Sequence, residues 1–180
     1  MALRKAACYS KKYTVPFTRK SKFKKRAYIK AVPNVHLTKM RMGDLAGWKA
    51  GKYTIILDVK TKHRVQLRDN ALEASRQFLN RFLTDKVGKD FYLEVKPYPH
   101  HVMRENKMIT GAGADRMQTG MALSFGKSMG RACLMKAGDT IFLIGVTNPK
   151  HEAIARTLVG SIRARMPCTM HIDTTIVKKK

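Results

Sequence analysis

Fifteen Lys or Arg and a single acid, Asp44, occupy the first 52 residues, a net charge of +14 on less than a third of the chain. The other 128 residues hold 22 basic and 11 acidic side chains, so they are cationic as well. Self-repulsion on this scale opposes compaction unless a polyanion neutralises it. A formal net charge of +25 on 20.4 kDa exceeds what a well-solvated basic face or simple solubility requires. The charge footprint therefore points to a working state that includes nucleic acid.

At 180 residues the chain suits one domain plus appendages. A hydrophobic fraction of 44% is ordinary for a folded protein and excludes a purely disordered tail. No apolar run approaches the roughly 20 residues a membrane helix needs. The opening MALRKAACYSKK shows no apolar h-region and no signal-peptide character. A membrane-surface helix would need charged and apolar residues at helical spacing, whereas this region carries Pro16, Pro33 and scattered aromatics. Cys8, Cys133 and Cys168 form no C-x-x-C pair and no disulfide framework, which fits a reducing cytosol. Cys133 and Cys168 read as small buried hydrophobes rather than reactive thiols.

Residues 1–52 read as a basic arm, 53–177 as an α+β globular domain with a long internal loop at 102–128, and 178–180 as a basic tail. In the arm, Arg4, Lys5, Lys11, Lys12, Arg19, Lys20, Lys22, Lys24, Lys25, Arg26 and Lys30 can lie along phosphates. Tyr9, Tyr13, Phe17, Phe23 and Tyr28 are interleaved with them and can stack on exposed bases or fill pockets. For Tyr28 and Ile29, packing on the domain is the stronger reading. The arm is expected to stay unfolded until RNA neutralises it.

The β-branched, apolar Tyr53–Val59 predicts a strand, Lys60–Lys62 a turn, and Val65–Leu67 a short return strand. Asp69 reads as an N-cap, with Glu73 suiting the helix dipole. Leu72, Ser75, Phe78, Leu79, Phe82 and Leu83 form a helical stripe within Asn70–Lys86, closed by Gly88, and core packing is its reading. Phe91–Lys96 predicts a further strand, which Pro97-Tyr98-Pro99 breaks and Val102–Glu105 resumes. Arg131–Met135 and Thr140–Val146 read as strands joined by the turn Lys136-Ala137-Gly138-Asp139. Asn148 and Pro149 open a second helix as N-cap and first helical residue. Its stripe is Ile154, Ala155, Leu158, Val159 and Ile162, with Pro167 after its end. Cys168–Ile176 is a last strand. This order predicts two helices packed on one face of a mainly antiparallel sheet.

Asn106–Ser128 fits no periodicity, and such loops in a compact domain are usually functional or disordered. Gly111, Gly113 and Gly120 permit close backbone approach to a ligand. Arg104, Lys107, Arg116 and Lys127 supply cations, and Met103, Met108, Met117 and Met121 soft apolar contacts. Enzyme readings fare poorly. Gly111–Arg116 begins like a dinucleotide fingerprint, but Arg116 replaces the third glycine and no strand–turn–helix surrounds it. No phosphate loop and no G-x-S-x-G occur. His100 and His101, adjacent on extended backbone, point to opposite faces and make a poor joint metal site. Asp115 has no visible partner as a general base. No cofactor and no metal are expected.

At these residues the chain resembles a known family. PYPHHVMRENKMITGAGADRMQTGMALSFG, KSMGRACLMKAGDTIFLIGV and MPCTMHI resemble the large-subunit ribosomal protein family called ten-e in archaea and eukaryotes and sixteen in bacteria. The likeness is to the archaeal branch, strong over 69–176 and weaker over 34–65. The arm matches more loosely, at Cys8-Tyr9 and Tyr28–Pro33, and departs from the family in the extra run Lys20–Arg26. The resemblance implies an α/β hammerhead-type sandwich with basic extensions, a structural and non-enzymatic role in the cytoplasmic ribosome, and no small-molecule substrate. It implies a position among large-subunit rRNA helices beside the aminoacyl and peptidyl tRNAs, with neighbouring ribosomal proteins. Its long loop, Val102–Met121 here, would point toward the peptidyl transferase centre and contact RNA through Arg104, Asn106, Lys107, Arg116 and Gln118, and the protein would support late subunit maturation and tRNA placement. Two other classes compete. A DNA-compacting architectural protein also wants high charge, but it calls for apolar wedges, dimer symmetry or minor-groove arms. An RNA-modifying enzyme needs a cofactor pocket or a polar triad, and neither is visible.

Overall fold

A computed structural model describes residues 4–11, 29, 31–105 and 127–177. The elements are β1 (Arg41–Gly43), α1 (Leu45–Lys49), β2 (Ile55–Thr61), β3 (Val65–Arg68), α2 (Asp69–Val87), β4 (Phe91–Val95), β5 (His101–Glu105), β6 (Lys127–Met135), β7 (Thr140–Val146), α3 (Pro149–Ser161) with a 3-10 turn at Ile162–Arg165, and β8 (Met170–Ile176). The strands form a five-stranded sheet in the order β1-β4-β7-β2-β8 and a three-stranded sheet in the order β3-β6-β5. The pairings are antiparallel. The fold is α+β, as expected, but with two sheets and a short additional helix.

The local causes are the ones the pattern carries. In β2, Ile55, Leu57, Val59 and Thr61 are buried and the residues between them are half-exposed, the period-2 signature of a strand with one face on a core. β4 is buried throughout, as befits a strand paired on both edges and covered by α2. Leu72, Ser75, Leu79 and Leu83 of α2 are fully buried, while Phe78 and Phe82 are only half-buried at its margin. α2 ends at Gly88, whose amide donates to the Thr84 carbonyl at 3.1 Å. α3 starts with Pro149 at its first position and buries Ala155, Leu158 and Val159, with Ile162 continuing the stripe into the 3-10 turn. α2 and α3 pack on each other; α2 also touches β4 and the small sheet, and α3 touches β2 and β7.

Several expectations are corrected. Val65–Leu67 does not return along the preceding strand. β2 already has β7 on one edge and β8 on the other, so β3 pairs with β6 in the second sheet. Likewise the turn at 136–139 carries the chain from one sheet to the other, and the Pro97–Pro99 break does the same for β4 and β5. Asp69 is the first residue of α2 rather than its cap; the cap is Arg68, without a side-chain bond, and the Asp69 carboxylate accepts from the Asn70 amide with one oxygen and faces His36 with the other. Asn148 does stand at the N-cap of α3, but it makes no side-chain cap bond.

The arm boundary at residue 52 is too late. β1 pairs with β4, Leu37 and Met42 join the core, and the Trp48 ring of α1 stacks on Tyr92 with centroids 4.2 Å apart. A three-residue strand that buries one side chain is too short to show a period, which is why it merges with the arm in the sequence. The ends of the expected loop 102–128 are also strand: Arg104 pairs with Ser128 and Glu105 with Lys127. The segment 106–126, the arm from 12 to 28, residue 30 and the tail 178–180 lie outside the described residues.

Candidate nucleic-acid interface

The small sheet is where the flanks of the cation-rich arm and of the glycine-spaced internal loop are held. β3 is an edge strand, and an edge leaves backbone groups that need partners. The N-terminal segment supplies them. The Gln66 amide donates to the Ser10 carbonyl at 2.9 Å and Gln66 Nε2 to the Tyr9 carbonyl at 3.0 Å. One residue pair further along, Arg68 Nη2 donates to the carbonyls of Arg4 at 2.9 Å and Lys5 at 2.8 Å. The segment itself is a tight turn, with Ser10 donating through both its amide and its hydroxyl to Ala7. Tyr9 adopts a left-handed φ of 65° there.

The segment emerging on the other side of the arm is held just as firmly. Ser128 Oγ donates to the Ala31 carbonyl at 2.8 Å, and Arg131 Nε to the Pro33 carbonyl at 2.9 Å. The amide and Nδ1 of His36 lie 3.1 and 2.9 Å from one Asp69 oxygen. Thr38 reaches Glu73 through its hydroxyl at 3.2 Å, and Glu73 is itself clamped by Arg76 at 2.6 and 2.8 Å. That guanidinium holds the Glu73 carboxyl down at about 2, so the cluster is ionic at any physiological pH.

The internal loop leaves from the same sheet, between the end of β5 and the start of β6. Arg4 links the two excursions: its guanidinium pairs with the Glu105 carboxylate and lies over the Tyr9 ring, 5.8 Å from the centroid. Burial pushes the Tyr9 phenol above its ordinary value. A β-bulge between Met103 and Arg104 re-aims the strand at this point.

Of the residues singled out in the sequence, Arg4, Lys5 and Lys11 are exposed, and Arg104 is half-buried on β5. Arg4 reaches the hairpin base through Glu105, the strand neighbour of Arg104. Lys5 lies beside Arg68, and Lys11 follows Ser10 at the Gln66 end of the sheet. Lys12, Arg19, Lys20, Lys22, Lys24, Lys25, Arg26 and Lys30 lie outside the described residues, as do Asn106, Lys107, Arg116 and Gln118. Sequence reasoning missed the anchors Gln66, Arg68, Ser128 and Arg131. Arg68, at the end of β3, is buried and so must find acceptors, but nothing in the sequence announces that burial.

The arrangement presents cations and backbone on a rigid base, which suits phosphate contact. Among the described residues no three His, Cys, Asp or Glu side chains group as metal ligands, and no helix is long and apolar enough to cross a membrane. His100 is exposed and His101 buried. Burial pushes the Cys133 thiol up to about 12 and the Cys168 thiol up to about 11, so both are far from thiolate character.

Residues 18–173 match the family described as ribosomal protein L16p/L10e. Similar proteins carry the name large ribosomal subunit protein uL16. The one from Thermofilum pendens is 43% identical over 147 residues, covering 81% of this chain and 82% of its own. The one from Metallosphaera sedula is 41% identical over 180 residues, covering 98% and 94%. The one from Methanococcus maripaludis is 36% identical over 176 residues, covering 97% and 95%.

Proposed function

The chain belongs to the ribosomal protein L16p/L10e family, and on that premise we propose that it is a structural, non-enzymatic constituent of the large ribosomal subunit in the cytoplasm, bound to large-subunit rRNA. The observation that carries the mechanism is the convergence of both arm flanks and both loop flanks on the β3-β6-β5 sheet. A rigid base anchors the roots of the strongly cationic arm and of the glycine-spaced loop in one place. Their side chains displace counterions from phosphates, and that entropy drives the affinity. The arm cations Lys5, Lys11, Lys12, Arg19, Lys20, Lys22, Lys24, Lys25, Arg26 and Lys30 lie along rRNA phosphates. Arg4, already paired with Glu105, serves mainly to join arm and loop.

The loop's Arg104, Asn106, Lys107, Arg116 and Gln118 face the aminoacyl and peptidyl tRNA sites and the peptidyl transferase centre. There they support tRNA placement and late maturation of the subunit. Specificity comes from shape and stacking, because A-form RNA hides its major-groove edges.

Salt-dependent binding to large-subunit rRNA, with co-sedimentation, tests the proposal. If about ten cations engage, log K falls against log salt with a slope on the order of −7. Neutralising Lys20, Lys22, Lys24 and Lys25 together reduces that slope. An unchanged slope, or a protein that sediments with DNA or stays free of the large subunit, overturns the reading.

A further inference from the structure

The chain leaves the large sheet after β4 and enters the small one at β5 through Lys96–His100. This linker, β6 from Ala132 to Met135, and Asp139 with Thr140 wall an open groove of about 590 Å³. Its features do not belong to the arm or to the loop. Tyr98 stands at the rim 41% exposed, with its ring centroid 4.5 Å from that of His100, and flanking prolines stiffen its backbone. His101 is only 5% exposed, and its Nδ1 has no hydrogen-bond partner among the described residues. A buried unpaired nitrogen costs free energy and calls for an explanation. Asp139 gives one carboxylate oxygen to the Lys136 amide at 2.7 Å, which leaves the second available. Lys96 lies at the mouth, its ammonium 2.8 Å from Glu94.

We propose that this groove receives one unstacked nucleobase of the rRNA, stacked on the exposed Tyr98 ring with the tilted His100 ring against its side, its hydrogen-bonding edge turned to Asp139 and its phosphate toward Lys96. The proposal rests on the reading of this chain as an rRNA-bound protein. Exposed aromatic faces with polar groups at the edge are how proteins take up single unpaired bases. The volume suits a ligand of this size. Burial lowers the His101 pKa, so the ring stays neutral and adds no charge to the groove wall. A free carboxylate oxygen only accepts, so it favours bases whose edge presents N–H donors, guanine with its two donor groups first.

The probes are the four uncharged nucleosides, which the basic surface does not attract, added to the full chain and followed by saturation-transfer NMR. The expected result is transfer to the base protons in the order guanosine above uridine. Binding weakens about tenfold in Tyr98→Ala, and the guanosine preference disappears in Asp139→Asn. In reconstituted large subunits, one rRNA base protected from chemical probing in the wild type becomes reactive in Tyr98→Ala. Tyr98 is exposed, so this variant is expected to fold, and a circular dichroism spectrum checks that. Its salt slope for rRNA stays unchanged, which separates failure of the groove from failure of the rRNA reading. Nucleoside binding indifferent to Tyr98→Ala overturns the proposal. So does nucleoside binding without any change in rRNA reactivity, because the groove would then serve a free nucleotide.

Discussion

Ser128, the second residue of β6, donates its hydroxyl to the carbonyl oxygen of Ala31 at 2.8 Å, so the return of the arm is tied directly to the base of the internal loop. Three residues along β6, Arg131 repeats the connection to Pro33 at 2.9 Å. Neither excursion can shift at its root without disturbing the other.

Removing both donors, in Ser128→Ala combined with Arg131→Ala, is therefore expected to loosen residues 31–36 selectively. Each hydrogen bond contributes about 1 kcal/mol net. Hydrogen exchange at those amides should speed up by one to two orders of magnitude, while α2 and the large sheet keep their protection. Affinity for rRNA should fall without a change in salt slope, because no arm cation is lost. Equal exchange in variant and wild type would show that His36 and Thr38 alone hold the return.

Glu73 makes stability depend on acid. Its folded pKa of about 2, set by Arg76, lies below the ordinary 4.5. The associated stabilisation is fully present above about pH 4.5 and is lost as pH falls toward 2, and it is on the order of 3 kcal/mol. Glu73→Gln should cost about 3 kcal/mol at pH 7, since it leaves the buried Arg76 without its counter-charge. It should also flatten the wild-type decline between pH 4.5 and 2. Urea unfolding across that range measures both effects. Parallel curves for the two proteins would mean that general charge repulsion, not this pair, sets the acid limb.

Gly43 closes β1 with φ of 84°, and a Cβ there would lie 2.1 Å from the Phe91 carbonyl oxygen. That oxygen accepts the Asp44 amide at 2.9 Å, so it cannot withdraw. Gly138 has a similar φ of 87° with nothing within 4 Å of its would-be Cβ. Gly43→Ala should cost about 3 kcal/mol or more, and Gly138→Ala about 1 kcal/mol. Thermal unfolding separates them; equal costs would mean that backbone strain, not the clash, dominates at Gly43.

Cys133 and Cys168 should resist iodoacetamide at pH 8 in the folded chain, since burial holds both thiols protonated. Mass spectrometry should find them alkylated only after denaturant is added. Native labelling of Cys133 would show that β6 opens readily from β3.

The elements were legible because their evidence is local. Leu72, Leu79 and Leu83 recur at helical spacing, and Ile55, Leu57 and Val59 alternate, whatever they pack against. Partnership between strands was not legible. Nothing in Val65–Leu67 or Thr140–Val146 states which edge is already occupied, and the two-sheet arrangement depends on that. β1 escaped because Met42 is its only buried side chain. In the site, counting cations marked out the arm, since charge is additive along a chain, and the loss of periodicity marked out the loop. The anchors were hidden for the opposite reason: Gln66, Ser128 and Arg131 act through geometry that pairs residues 31 with 128 and 66 with 10.

The loop offers the sharpest test of division of labour. The ladder of β5 and β6 reaches Glu105 opposite Lys127, so the hairpin is closed by strand pairing before the loop begins. Excising Ile109–Gly120 leaves nine residues between those two positions, more than a hairpin connection needs. Shortening the connection from 21 to nine residues lowers its closure entropy, a gain of about 0.7 kcal/mol. The variant is therefore expected to show an unchanged circular dichroism spectrum and an equal or slightly higher Tm. It should bind rRNA through the arm, yet yield subunits impaired in tRNA binding. Loss of the folded spectrum would mean that Met108, Met117 or Met121 completes the core, and that the loop is a structural element rather than a projection toward RNA.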